Sequence, residues 1–272
     1  MHIVTFRRNG VIQHGVRTGD MVRVHPDAIS AVDLAVNGAY SSGTQDISLA
    51  DVELLPPVPN PGKIICIGLN YRAHAIEGGN AIPDYPAVFL RGATSLAAPG
   101  GAMLYPSCSD KLDYEAELAV VIGRTATNVT VADALSHVAG YSCFNDGSVR
   151  DYQRKSTQWT MGKNFDGTGG FGPDLVTPDE LPAGACGLRL VARLNGAIMQ
   201  DSNTADMIFD VATLVSILSE GMTLEPGDVI ATGTPSGVGY ARTPPVFMRP
   251  GDISEIEIEG IGILQNRIAT RA

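Results

Sequence analysis

Basic residues, aromatics and long apolar runs are all scarce in this sequence, and each shortage removes a class of function. Nineteen Lys and Arg stand against 29 Asp and Glu, a formal net charge of −10. Binding a phosphate backbone needs clustered cations, and no basic stretch supplies them, so nucleic acid is not expected as a partner. No segment approaches the roughly 20 apolar residues of a membrane span. The first residues lack the charged-then-apolar order of a signal peptide. Cys66, Cys108, Cys143 and Cys186 are widely separated, with no C-x-x-C pair. That spacing suits reduced thiols better than a disulfide framework or a thiolate zinc site. The expectation is a soluble, cytoplasmic protein. P-loop and G-x-S-x-G motifs are missing, which leaves NTP and serine-hydrolase chemistry without support. Gly167-Thr168-Gly169-Gly170-Phe171-Gly172 fits G-x-G-x-x-G literally, but no apolar strand precedes it and Pro173 follows in place of a helix. It is not a dinucleotide fingerprint.

Glycine (31) and proline (17), by contrast, are plentiful in the 272 residues, as expected of short strands joined by tight turns. Runs at 3–6, 11–17 and 21–25 read as strands divided by Asn-Gly and Gly-Asp turns, and the spacing at 27–36 predicts a helix. Pro56-Pro57-Val58-Pro59-Asn60-Pro61-Gly62 cannot join a sheet or helix interior, so the boundary is placed there: a small N-terminal α/β unit at 1–58 and a larger domain at 59–272. In the larger part, Asn70 is the expected N-cap of a short helix ending at Glu77. A capping-box pattern at Thr130 starts another helix, and 141–144 reads as a strand. Asn195-Gly196 marks a hairpin, and the apolar period within 206–220 marks a helix closed by Gly221. Many short strands with few helices predict an α+β, β-rich fold with a mixed sheet.

One stretch organises the rest: Leu112-Asp113-Tyr114-Glu115-Ala116-Glu117-Leu118-Ala119-Val120-Val121-Ile122-Gly123. Its apolar second half, rich in β-branched residues, reads as a strand covered on both faces. Strand alternation turns Glu115 and Glu117 to one side. Buried unpaired carboxylates are costly, so a cation is expected between them; the alternative is an edge strand with both glutamates in solvent. Asp146, in the turn Asn145-Asp146-Gly147, is the natural third ligand. Three carboxylates without a histidine or thiolate cluster point to Mg²⁺ or Mn²⁺, with Ca²⁺ also open. No organic cofactor is expected. His74 and Glu77, at i and i+3 on a short helix, share a face. A carboxylate beside an imidazole raises its basicity, which suits a general base. Arg150, Gln153 and Lys163 are candidate donors to a substrate carboxylate or oxyanion, although each alone is an ordinary surface or ion-pair residue. Thr234, in the glycine-rich stretch 232–239, is a further candidate for an anionic group.

In this order, the motifs resemble the fumarylacetoacetate hydrolase family from about residue 63 to 268. They are Gly68-Leu69-Asn70-Tyr71-Arg72-Ala73-His74-Ala75-Ile76-Glu77, the central stretch, residues 145–153, Gly162-Lys163-Asn164-Phe165-Asp166, Thr232-Gly233-Thr234-Pro235, and Gly251-Asp252 through Gly260-Ile261-Gly262. The resemblance implies a roll or barrel of mixed sheets and a homodimer. It also implies Glu115, Glu117 and Asp146 as metal ligands, His74 with Glu77 as the base pair, and Lys163 as the active-site lysine. Arg72, Arg150, Gln153 and Thr234 would line the substrate site. Arg91, where many relatives carry lysine, and the glycine run 167–172 depart from the pattern and are expected near the substrate's tail. The first expectation for activity is hydrolysis of a C–C bond in a 2,4-dioxo, acylpyruvate-type acid, with water activated by His74. Decarboxylation of a 2-oxo diacid or isomerisation of an unsaturated one, as in aromatic catabolism, shares most of such a site. Outside catalysis, a Ca²⁺-binding or metabolite-sensing relative stays open.

Overall fold

The strand Ala116–Ile122 is buried at every residue, and the pleat divides its side chains between two cores. In this computed structural model, which describes residues 1–26, 29–38 and 45–271, Leu118, Val120 and Ile122 pack with Leu190, Ala192, Ile256, Ile258 and Leu264 of a second sheet. Ala119 and Val121 face the other way, into a core shared with Phe144, Phe171 and the helix residues Ala31, Val32 and Leu34. A strand covered on both faces is what the unbroken apolar run demands.

The main sheet runs in the order Asp46–Ser48, Met21–Val24, Val11–Thr18, His2–Arg8, Gly169–Val176, Val138–Asp146, Ala116–Ile122, Val229–Ala231, Ile64–Gly68, Ala87–Arg91. It is mixed: Val229–Ala231 and Ile64–Gly68 are parallel, whereas the central pairs are antiparallel. The second sheet comprises Ala197–Asn203, Arg189–Leu194, Ile253–Ile258, Gly262–Thr270 and Ala102–Tyr105. The protein is thus β-rich α+β, with two sheets enclosing the larger core. No helix among the described residues is long and apolar enough to cross a membrane.

Several local expectations shift for physical reasons. The N-terminal strands continue the main sheet, with His2 opposite Val176 and Ile3 opposite Leu175; residues 56–62 carry no strand or helix. The first helix is Ala31–Asn37, because Ser30 and Asp33 form a reciprocal capping box; residues 27 and 28 of the expected helix lie outside the described residues. The strand expected at 141–144 extends over Val138–Asp146, so Asp146 ends a strand instead of sitting in the turn beyond it. The glycine run contributes to Gly169–Val176, a strand inside the sheet. A Cβ at Gly169 would stand 2.7 Å from an Arg91 nitrogen, which explains why the strand needs glycine there.

Candidate active site

Register brings the acidic residues together. Ala116 pairs with Asn145 and Glu117 with Phe144, and the Asp146 N–H donates to the Glu115 carbonyl at 2.9 Å. Asn145 Oδ1 in turn accepts from the Glu115 N–H at 3.0 Å. One carboxylate oxygen from each of Glu115, Glu117 and Asp146 lies within 4.8 Å of the others, and all three residues are buried. Cations surround two of them. Lys163 Nζ reaches Glu115 Oε2 at 2.6 Å and Asp146 Oδ2 at 2.5 Å, Arg150 reaches Glu115 Oε1 at 2.7 Å, and Arg91 reaches Asp146 Oδ1 at 2.5 Å.

Glu117 has no such partner among the described residues; it accepts only the Gly233 N–H, at 2.9 Å. Burial, with Asp146 and Glu115 beside it, pushes the Glu117 carboxyl well above its usual range. Burial also works against ionised Glu115, but Lys163 and Arg150 outweigh it and hold that carboxyl at about 2. With Asp113, which Arg150 grips at 2.7 Å, the cluster holds four carboxylates against three cations. Counted as ionised, the cluster has one negative charge in excess, at Glu117, the group lacking a cation; burial and the neighbouring carboxylates are what raise its pKa. An all-oxygen donor set with an unneutralised carboxylate fits a hard divalent ion. Adding one would turn the cluster net positive, a charge that would favour an anion in a protein acidic overall.

The Gly233 contact is sterically exclusive. Its φ is +100°, and a Cβ there would lie 2.8 Å from Asn70 Cβ and 2.9 Å from the Ile67 carbonyl. Gly233→Ala is expected to destabilise the protein by about 1–3 kcal/mol, the scale of forced backbone strain, and to weaken Mn²⁺ binding by displacing the donor to Glu117. Urea unfolding alongside a Mn²⁺ titration measures both; unchanged values for both would contradict the steric reading.

His74 and Glu77 lie on the helix Arg72–Glu77, with Nδ1 3.3 Å from Glu77 Oε2. Gly237 N–H fixes the other carboxylate oxygen at 2.9 Å. Partial burial raises the Glu77 pKa, but hydrogen bonds from His74 and Gly237 win and the net shift is downward. Asn70 is not the helix cap. Tyr71 takes that position, with no side-chain cap bond, and Asn70 is drawn into tertiary bonding with Phe209 O, Phe209 N and Thr232 O at 2.7–3.0 Å. It ties the helix entry to the glycine loop. The neighbouring Leu69 holds φ +59°, a strained conformation for a side chain of its size, directly on the cavity wall.

A cavity of about 240 Å³ gathers these groups: His74, the three acidic residues, Arg150, Gln153, Lys163 and Thr234 all line it. Gln153 accepts from Arg150 at 3.0 Å, and Thr234 accepts from Gln200 at 2.8 Å. Arg72 is exposed and stands outside the cavity wall. Arg91, expected near the substrate's tail, does not line the cavity. Fully buried behind Asp146, it also donates to Thr168 and Ser95. Sequence reasoning passed over Asp113, which accepts from Arg150, Gly239 N–H and Tyr240 N–H. It also passed over Phe89, Trp159, Arg154 and Tyr240 on the wall. Phe89 and Trp159 meet edge to face at 5.5 Å, and Gly68 makes room for the indole: a Cβ there would fall 2.3 Å from it.

Known proteins resemble this chain over the residues that build the site. The family model described as fumarylacetoacetate (FAA) hydrolase C-terminal matches residues 63–269, and one described as Rv2993c-like, N-terminal, matches residues 1–57. Oxaloacetate tautomerase YisK of Bacillus subtilis (strain 168) is 45% identical over 225 residues, covering 81% of this chain and 74% of that protein. Mitochondrial oxaloacetate tautomerase FAHD2A of Homo sapiens is 41% identical over 221 residues, covering 80% and 70%. Among solved structures, fumarylacetoacetate hydrolase from psychrophilic Exiguobacterium antarcticum superposes with a TM-score of 0.88 at 36% identity, over 100% of both chains. The 2-hydroxyhepta-2,4-diene-1,7-dioate isomerase from Mycobacterium marinum gives a TM-score of 0.85 at 32% identity, over 100% of this chain and 99% of that one. A match spanning most of the sequence, over the residues that build the acidic cluster, makes the chain a member of the fumarylacetoacetate hydrolase family.

Proposed function

We propose that the protein is a divalent-metal-dependent enzyme that interconverts the keto and enol forms of a 2-oxo acid. The observation that carries this reading is His74, bonded to Glu77 behind it, lining one small cavity with the buried Glu115, Glu117 and Asp146. Relatives named as oxaloacetate tautomerases support it. Mg²⁺ or Mn²⁺ held by the three carboxylates would supply a Lewis acid at the acid's carboxylate and 2-oxo oxygens, easing loss of a proton from C3. Glu77 accepts from the Nδ1 side of His74, leaving Nε2 to take the proton from C3 and hand it to the 2-oxo oxygen, which becomes the enol hydroxyl; the reverse transfer, from that hydroxyl to C3, restores the keto form. Gly237 N–H keeps Glu77, and through it the imidazole, in register. Phe89 and Trp159 cover one wall and exclude water that would compete for the proton.

Hydrolysis of an acylpyruvate is the second reading, because the same imidazole is equally suited to activating a water. The test is direct. Enol oxaloacetate is added to purified protein with Mn²⁺ and loss of the enol absorbance is followed. We expect acceleration of roughly 10²-fold or more over free Mn²⁺, the scale of positioned acid–base catalysis. Cleavage of acylpyruvates with enol decay at the free-metal rate would put hydrolysis in its place, and CO₂ release would put decarboxylation there. The homodimer belongs to the same proposal: Val88 and Leu90 are exposed on the strand that ends the main sheet, and light scattering of the purified protein decides it.

A further inference from the structure

We infer that Arg154 reads the far end of the substrate and selects acids that carry a second carboxylate. This deepens the keto–enol reading and rests on it for the position of the substrate's near end, at the three buried carboxylates.

Arg150 and Arg154 hold their guanidinium carbons 4.5 Å from the centroid of the same Tyr240 ring, and all three residues line the cavity. Their hydrogen-bonding states differ. Arg150 is occupied by Asp113, Glu115 and Gln153, yet one terminal nitrogen, Nη2, is buried without a partner. Arg154, at the open side of the cavity, is exposed and meets no carboxylate among the described residues. Elsewhere on this surface guanidinium groups close on acids: Arg7 on Glu53, Arg23 on Asp46, Arg189 on Asp201. Stacking on an aromatic face orients a guanidinium while leaving its in-plane N–H edge available to a carboxylate.

The cavity therefore carries its carboxylates among buried residues, and on its exposed wall a cation, Arg154, that no carboxylate among the described residues engages. A 2-oxo acid without a second charge would leave the orphaned Arg150 Nη2 unsatisfied and Arg154 unused. A diacid engaging the buried end through its first carboxylate and 2-oxo group presents its second carboxylate to these donors. A bidentate, charge-assisted contact of this kind is the strong form of hydrogen bond.

Titration calorimetry of the Mn²⁺-loaded protein with malate and with lactate tests this without turnover. Both acids offer a 2-hydroxycarboxylate, and malate alone has the distal carboxylate. Wild type is expected to bind malate roughly ten- to a hundredfold more tightly, the range of one charge-assisted contact. Arg154→Met should remove that advantage while leaving lactate affinity unchanged, and Arg154→Lys should restore part of it. In the enol assay, Arg154→Met should raise KM with little change in kcat. The residue is exposed, so thermal unfolding of both variants should match wild type. Equal binding of malate and lactate, no measurable binding of either, or equal weakening of both by Arg154→Met overturns the inference. A malate preference in a protein that leaves enol oxaloacetate untouched would sink the keto–enol reading and leave the Arg154 assignment standing; enol turnover without the preference would do the reverse.

Discussion

Asparagine in place of Asp146 is expected to unfold at markedly lower urea, a loss of about 3–5 kcal/mol, and to abolish tight Mn²⁺ binding. The estimate is the cost of breaking a buried ion pair from one side. Asp146 and Arg91 are both 0% exposed, and Lys163 is 2% exposed. Asn preserves the shape of the side chain, so what disappears is charge. Lys163 keeps Glu115, but Arg91 would retain only neutral partners: Ser95, Thr168 and the Gly147 carbonyl. Removing the stranded cation as well should recover part of the loss, since an apolar replacement of a whole buried pair is often near neutral. Asp146→Asn with Arg91→Met is accordingly expected to be more stable than Asp146→Asn alone, though still unable to hold Mn²⁺. Equilibrium unfolding and Mn²⁺ paramagnetic resonance provide the two readouts. An Asp146→Asn protein as stable as wild type and still loaded with Mn²⁺ would remove Asp146 from both roles.

That prediction turns on Arg91, and its position shows where sequence reasoning stops. Glu117 and its strand were legible from a period of two and an apolar run requiring cover on both faces. The single strand expected over 112–122, however, is broken: Leu112–Asp113 pairs with Ser148–Val149, and Glu115 stands just ahead of Ala116–Ile122. Arg91 is 55 residues from Asp146. No spacing rule links an arginine at the end of Ala87–Arg91 to an aspartate at the end of Val138–Asp146, because two other strands and Val229–Ala231 determine how far apart those ends lie. The departure from lysine marked the position as unusual without revealing that the side chain turns inward.

Asn70 illustrates the opposite failure. A strong local preference for the N-cap lost to three tertiary hydrogen bonds that join the helix entry to Phe209 and Thr232. Intrinsic propensity is worth about 1 kcal/mol at such a cap, less than a buried amide gains when its donors and acceptor are all satisfied. Asp113 was in plain view inside the organising stretch but drew no attention, because its partners Arg150, Gly239 and Tyr240 converge only through the fold. The absence of strand or helix at residues 56–62 was readable from proline chemistry. The pairing of His2–Arg8 with Gly169–Val176 was not, since edge complementarity leaves no periodic trace in either strand.

His74→Ala should lower kcat by roughly 10²–10⁴-fold, the contribution of a positioned general base, with Mn²⁺ affinity close to wild type. The two halves of this expectation come from different contacts. His74 is bonded to Glu77 and to none of the three acidic residues that could hold a cation, so its removal leaves the oxygen donors, Lys163 and Arg150 in place. What would be lost is the imidazole proposed to exchange the proton inside the cavity. Glu77→Gln separates orientation from basicity: its amide oxygen can still accept from Gly237 N–H, but it no longer sets a negative charge beside Nδ1. The expected loss is smaller than for His74→Ala and falls on kcat more than on KM, as for an interaction that strengthens only when the imidazole carries a proton. Enol decay by stopped flow, with Mn²⁺ occupancy measured on the same samples, distinguishes these outcomes. If His74→Ala turned over normally with its metal bound, the proton would have to move through another cavity residue, and Lys163, already bonded to Glu115 and Asp146, would be the next to replace.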